Sequence, residues 1–117
     1  VTGPASPVEP VTDATFEAAV LDADLPVVVD FWAAWCSPCR AVAPVLAELA
    51  RQYDGRVRVV SVDTDANPRV VADYGIVSIP TLHVFRDGEL VDTVVGARPK
   101  ADLARHFEAA AGGSAAS

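Results

Sequence analysis

Residues 27–53, VVVDFWAAWCSPCRAVAPVLAELARQY, decide the fold. The first six, Val27-Val28-Val29-Asp30-Phe31-Trp32, form a β-branched and aromatic run without clean polar alternation, the pattern of a strand covered on both faces. From about Pro38 to Tyr53 the period changes: Val42, Val45, Leu46 and Leu49 recur at helical spacing, with Glu48, Arg51 and Gln52 on the other side. A central strand therefore runs into a long amphipathic helix. Pro44 removes one backbone donor inside that helix, so a kink rather than a stop is expected there. At the junction stands Trp35-Cys36-Ser37-Pro38-Cys39.

Outward from this core the same alternation continues. Upstream, Thr12 or Asp13 is expected to cap a short helix whose apolar face is Phe16, Ala19 and Val20, preceded at most by an edge strand around Val8 to Val11. Downstream, Val57 to Val62 reads as a second strand. Asp63 to Pro68 then supplies turn and cap residues for a short helix ending near Tyr74-Gly75. Thr81 to Phe85 and Leu90 to Val95 form a hairpin about Arg86-Asp87-Gly88-Glu89, and a last helix runs from Pro99 to Ala111 with Leu103, Phe107 and Ala110 on one face. The order β-α-β-α-β-α-β-β-α predicts an α/β domain with a central mixed sheet of four to five strands flanked by helices on both faces. Its expected extent is residues 8–111, between flexible tails at 1–7 and 112–117.

The 117 residues fit one domain, and 51% hydrophobic content is enough for a packed core. A net charge of −7 has the wrong sign for binding phosphate backbones, so nucleic acid is disfavoured as a partner. The longest uncharged stretch, Tyr74 to Phe85, contains Pro80 and is too short to span a bilayer, so no membrane partner is expected. The first ten residues show neither a basic start nor an apolar run, so no secretory signal is read in them and a cytoplasmic setting is expected.

The two cysteines lie three positions apart. A bridge closing so small a loop contributes little stability, so the pair is there to react. Cys36 falls at the helix entrance, where free N–H groups and the positive end of the helix dipole favour a thiolate, while Cys39 lies a turn deeper. Cys36 is therefore expected to attack and Cys39 to resolve. Ser37 and Pro38, the redox-tuning positions, supply no cation, and Pro38 removes an N–H that could donate to sulfur. The thiolate is then only moderately stabilised, which favours a reductant. Arg40 is the nearby cation to watch. His83 and His106 match no zinc spacing with the cysteines, and Arg at position 40 excludes the His needed for covalent haem attachment, so no metal is expected. His83, His106, Asp63 and Asp65 are read as structural, the two aspartates as turn and cap residues.

FWAAWCSPCR, the Ile79-Pro80-Thr81 step, the Asp87-Gly88 hairpin and Gly96 together resemble the thioredoxin family, over about Val11 to Ala110. The resemblance implies the thioredoxin fold and a cis peptide before Pro80 placed against the cysteine pair. It also implies that Asp30 is the buried carboxylate that handles the proton of the resolving cysteine. Independently of the family, an acid inside an apolar strand is costly to ionise, so its pKa should rise toward neutrality. The family commonly carries a lysine near this carboxylate where this chain has Ser61, which predicts a still higher Asp30 pKa. Ser37 stands where most members have Gly, its hydroxyl free to meet a sulfur or water. Trp35, Ile79, Pro80, Val95, Gly96 and Ala97 are implied to border a shallow apolar groove around an accessible Cys36, with backbone pairing of substrate to Ile79.

The function so implied is general protein disulfide reduction by dithiol–disulfide exchange. Its partners would be disulfide-containing target proteins and a thioredoxin reductase, most often an NADPH-linked flavoprotein. A monomer without bound cofactor suffices. Two other readings stay open on the sequence: an exported thiol–disulfide oxidase or isomerase, and a binding or chaperone module that does not need its thiols.

Overall fold

A computed structural model describes residues 7–112. It contains β1 (Glu9–Pro10), β2 (Val27–Trp32), α1 (Ser37–Gln52), β3 (Arg58–Asp63), α2 (Pro68–Tyr74), β4 (Thr81–Arg86), β5 (Glu89–Val95) and α3 (Lys100–Gly112). The expected tails lie outside the described residues except at Pro7 and at Gly112, the last residue of α3. One five-stranded sheet has the order β1-β3-β2-β4-β5. β1 and β2 pair parallel with β3, whereas β4 pairs antiparallel with both β2 and β5. This is the expected mixed sheet, and it includes the doubtful first strand.

Alternation along β2 sorts the core into two layers. Val28 faces α1 and α3, packing with Leu46, Leu49, Leu103 and Phe107. Val27, Val29 and Phe31 face the other way, onto Phe16, Val20 and Val70. With neighbours on both sides and helices on both faces, β2 has little use for polar residues, which is why its sequence reads as a continuous apolar run. Asp30 shares parity with Val28 and so points to the α1 face.

α1 continues through Pro44 to Gln52. The β4–β5 turn places Asp87 at φ 53° and Gly88 at φ 81°, the paired left-handed geometry that a tight hairpin demands. A Cβ on Gly88 would come within 3.0 Å of the Leu21 carbonyl oxygen.

Two local expectations are corrected. The segment after Thr12 forms a π-helical turn at Glu17–Leu21 that begins at Phe16, and Thr12 and Asp13 do not cap it. Asp13 instead accepts hydrogen bonds from the backbone N–H groups of Arg69 (3.1 Å) and Val70 (2.9 Å), in the first turn of α2. Its own N–H donates to Asn67 Oδ1 at 2.8 Å. Asp63 and Asp65 therefore do not cap α2. Asp63 accepts from the Asp65 N–H at 3.0 Å within the turn itself.

Candidate active site

The C-terminal end of β2 and the N-terminus of α1 meet at the cysteine pair. Cys36 is the N-cap of α1, in extended conformation, and Ser37 and Pro38 open the first turn. The Cys36 N–H donates to the Ala33 carbonyl at 3.1 Å, which turns the chain from strand to helix. Cys36 and Cys39 form a disulfide with Cα atoms 5.3 Å apart. The Cys39 N–H donates to Cys36 Sγ at 3.2 Å. In the reduced protein the same donor, with the positive end of the helix dipole, would face any charge on this sulfur.

Cys36 is only 4% exposed, less open than the sequence reading expected, because Trp32, Ala33 and Ile79 pack about the pair. The Ile79–Pro80 bond is cis, and the Ile79 carbonyl oxygen lies 4.0 Å from Cys36 Sγ. Pro80 is buried. Its carbonyl accepts from the Gly96 N–H at 2.8 Å, and Gly96 holds φ 94°, a conformation an L side chain would strain. Val95 lies opposite Thr81 in the β4–β5 register and is half exposed, and Ala97 follows it, exposed.

Trp35 is 68% exposed, with its indole N–H donating to Asp65 Oδ2 at 2.9 Å. This is the role of Asp65 that sequence reasoning missed. An open groove of about 450 Å³ runs beside Trp35 and Ile79, walled by Val71, Ile76 and Val77. Val77 is 95% exposed. These three residues were also missed, although apolar side chains in the loop directly before the Ser78-Ile79-Pro80 step are a signal that could have found Ile76 and Val77; Val71, inside α2, carries no such signal.

Ser37 Oγ meets neither sulfur nor water alone. It accepts from the Arg40 guanidinium at 3.1 Å, and the other arm of Arg40 donates to the Ala34 carbonyl at 2.6 Å. Spacing i, i+3 on a helix is the signal for that contact.

Asp30 lies behind the disulfide. It is directly across from Ser61 on β3 and from Leu82 on β4. It is 5% exposed, and its Oδ1 has no hydrogen-bond partner. Burial raises its pKa from 3.8 to about 7. Asp30, Cys39 and Ser61 line one cleft, so the carboxyl and the inner sulfur share a compartment.

No group of side chains suited to holding a metal ion occurs among the described residues. Nor is any described helix long and apolar enough to cross a membrane.

The thioredoxin family model matches residues 7–109. The chain belongs to the thioredoxin family. It is 63% identical over 98 residues to thioredoxin 1 of Synechococcus elongatus and 59% identical over 98 residues to thioredoxin 1 of Nostoc sp., spanning 84% of this chain and 92% of each relative. It is 54% identical to the thioredoxin of Streptomyces clavuligerus, over 81% of this chain and 88% of that one. The family's cysteine pair with a two-residue spacer is present here as Cys36 and Cys39.

Proposed function

We propose that the protein is a general protein disulfide reductase working by dithiol–disulfide exchange. One observation carries this reading: the Cys36–Cys39 disulfide sits at a helix N-terminus, beside the Ile79–Pro80 step, with an unpaired carboxyl in the compartment behind it.

In the reduced protein the Cys36 thiolate attacks one sulfur of a target disulfide, a mixed disulfide forms, and the other target sulfur leaves and takes up a proton. Asp30, half ionised near neutrality, accepts the proton of the Cys39 thiol. The Cys39 thiolate then attacks Cys36 Sγ, the mixed disulfide breaks, and the second target sulfur leaves. Two electrons have passed to the target, and the Cys36–Cys39 disulfide remains. Trp35, Ile79, Pro80, Val95, Gly96 and Ala97 present the extended target segment, and Ser37 and Pro38 tune the pair.

The thioredoxin relatives, whose matches span most of both chains, support this function. A thioredoxin reductase, in this reading an NADPH-linked flavoprotein, returns the disulfide to the dithiol. The protein acts as a monomer in the cytoplasm, with no bound cofactor.

Reduction of insulin disulfides with such a reductase and NADPH tests the activity. Cys36→Ser is expected to abolish turnover, and Cys39→Ser to accumulate a covalent mixed disulfide with the target. Full function in the Cys36→Ser, Cys39→Ser double variant would instead establish a thiol-independent binding module.

A further inference from the structure

The compartment behind the disulfide is an open cleft of about 410 Å³, within the range of small-molecule sites. Its walls include the apolar surfaces of Trp32, Pro44 and Ala47. At its floor is Asp30, more than nine-tenths buried, whose Oδ1 is closed to solvent and has no hydrogen-bond partner, so that only the small remainder of the side chain meets the cleft. The side chain directly across on β3 is Ser61, which carries no charge. Among the described residues, the one other charged side chain lining the cleft is that of Arg40, whose guanidinium is tied to Ala34 and Ser37.

A desolvated carboxyl with no cation paired to it is costly to ionise, and a proton-sharing ligand on its remaining cleft-facing surface reduces that cost. A permanent cation would have to shed its hydration against apolar walls and pass the Arg40 charge, so it is a poor occupant. A neutral base that acquires its proton only at the floor avoids both penalties.

We propose that this cleft is a binding site for small, weakly basic nitrogen heterocycles of the imidazole type. The ring nitrogen shares the proton of the Asp30 carboxyl, and the carbon skeleton packs on Trp32, Pro44 and Ala47. The complex holds one shared proton, so affinity peaks midway between the pKa values of acid and base and falls on either side. The groups facing Asp30 are Cys39 and Arg40 from α1, Ser61 from β3 and Leu82 from β4. With the disulfide closed, Cys39 does not titrate, and Asp30 supplies the protein's share of this dependence. An occupant also separates Asp30 from Cys39 and slows reduction. That consequence rests on the role proposed above for Asp30, whereas the binding itself does not.

The test uses the oxidised full chain, followed by NMR at the Asp30 carboxyl carbon and the backbone amides. The probes are 4-phenylimidazole, imidazole, and 4-phenylpyrazole, which matches the first in shape but is far less basic. Saturable shifts are expected at Asp30, Trp32, Ala47 and Ser61. 4-Phenylimidazole should bind at least about tenfold tighter than either other probe, and more weakly at pH 5 and pH 9 than at pH 7. Asp30→Asn and Ser61→Lys, the latter placing a cation across from the carboxyl, should each weaken it by at least about tenfold.

Equal binding of 4-phenylpyrazole, undiminished binding to both variants, or shifts confined to the groove beside Trp35 would overturn the site. Asp30-dependent binding that leaves the rate of insulin reduction unchanged would uphold the site and remove Asp30 from the catalytic scheme.

Discussion

Asp30 is a buried acid, and neither of its cross-strand neighbours, Ser61 and Leu82, is charged. Desolvation alone lifts its pKa to about 7. On β3 the register partner is Ser61, whose side chain cannot supply the compensating field that an ammonium would. Ser61→Lys is therefore expected to lower the Asp30 pKa by at least about one unit, the scale of an opposite charge within a few ångströms. NMR titration of the Asp30 carboxyl in the two proteins measures this, and a variant value equal to or above the parent's rejects it. The raised pKa was legible in the sequence because an Asp inside the apolar run Val-Val-Val-Asp-Phe-Trp reads as a buried carboxyl. The partner of Ser37 was signalled only by its i, i+3 spacing to Arg40, which does not decide between sulfur, water and Arg40, because that choice depends on where the Arg40 side chain folds back.

At the scale of elements, α2 is held by a residue from far outside it. Pro68 opens the helix, Asn67 makes no capping hydrogen bond with its side chain, and the free N–H groups of Arg69 and Val70 are met by the Asp13 carboxylate. Asp13→Ala removes both acceptors and is expected to cost about 1 to 2 kcal/mol, at the upper end for a lost cap. Urea denaturation reads this as a lower midpoint with an unchanged slope. An Asp13→Asn variant, keeping one acceptor, should lose less, and equal loss in both would show that the charge rather than the geometry matters. Strand and helix positions were readable because periodicity is local: Val42, Leu46 and Leu49 announce α1, and the Asp87-Gly88 pair announces the hairpin. The cap of α2 and the Trp35–Asp65 hydrogen bond were not, since each joins residues 30 or more positions apart and no local pattern encodes them. The same limit explains why the sequence pattern places Thr12 and Asp13 as caps of the segment that follows them. The low exposure of Cys36 belongs here too, because it is set by Ile79 arriving from another element.

Across the whole molecule, Asp30 and His83 are buried on opposite faces of the sheet, and the two pull stability in opposite directions with pH. Asp30 lies on the α1 face. His83 lies on the other, its ring edge-on to Phe31 and Tyr74, its Nδ1 unpaired and its pKa lowered by burial. Between 3.8 and about 7 the folded chain holds the Asp30 proton that the unfolded chain has released, so stability falls as pH rises through that window. Below the ordinary histidine value of about 6.5 the unfolded chain takes up a proton that folded His83 resists, so stability falls as pH falls. The two slopes partly cancel in mildly acidic solution and leave only the Asp30 loss near and above neutrality. Asp30→Asn should gain stability relative to the parent by more than about 2 kcal/mol on going from pH 5 to pH 8, at 1.36 kcal/mol per unit of pH across most of the window. His83→Phe, which keeps an aromatic ring in the cluster, should show the reverse, gaining on going from pH 8 to pH 5, whatever constant offset its extra volume adds. Because the two side chains face opposite layers of the sheet, the double variant should show the sum of the two pH dependences to within about 0.5 kcal/mol. Denaturant titrations of the oxidised parent and all three variants at both pH values decide it, and a pH dependence of Asp30→Asn parallel to the parent's would mean that the carboxyl is already ionised in the folded protein at pH 5.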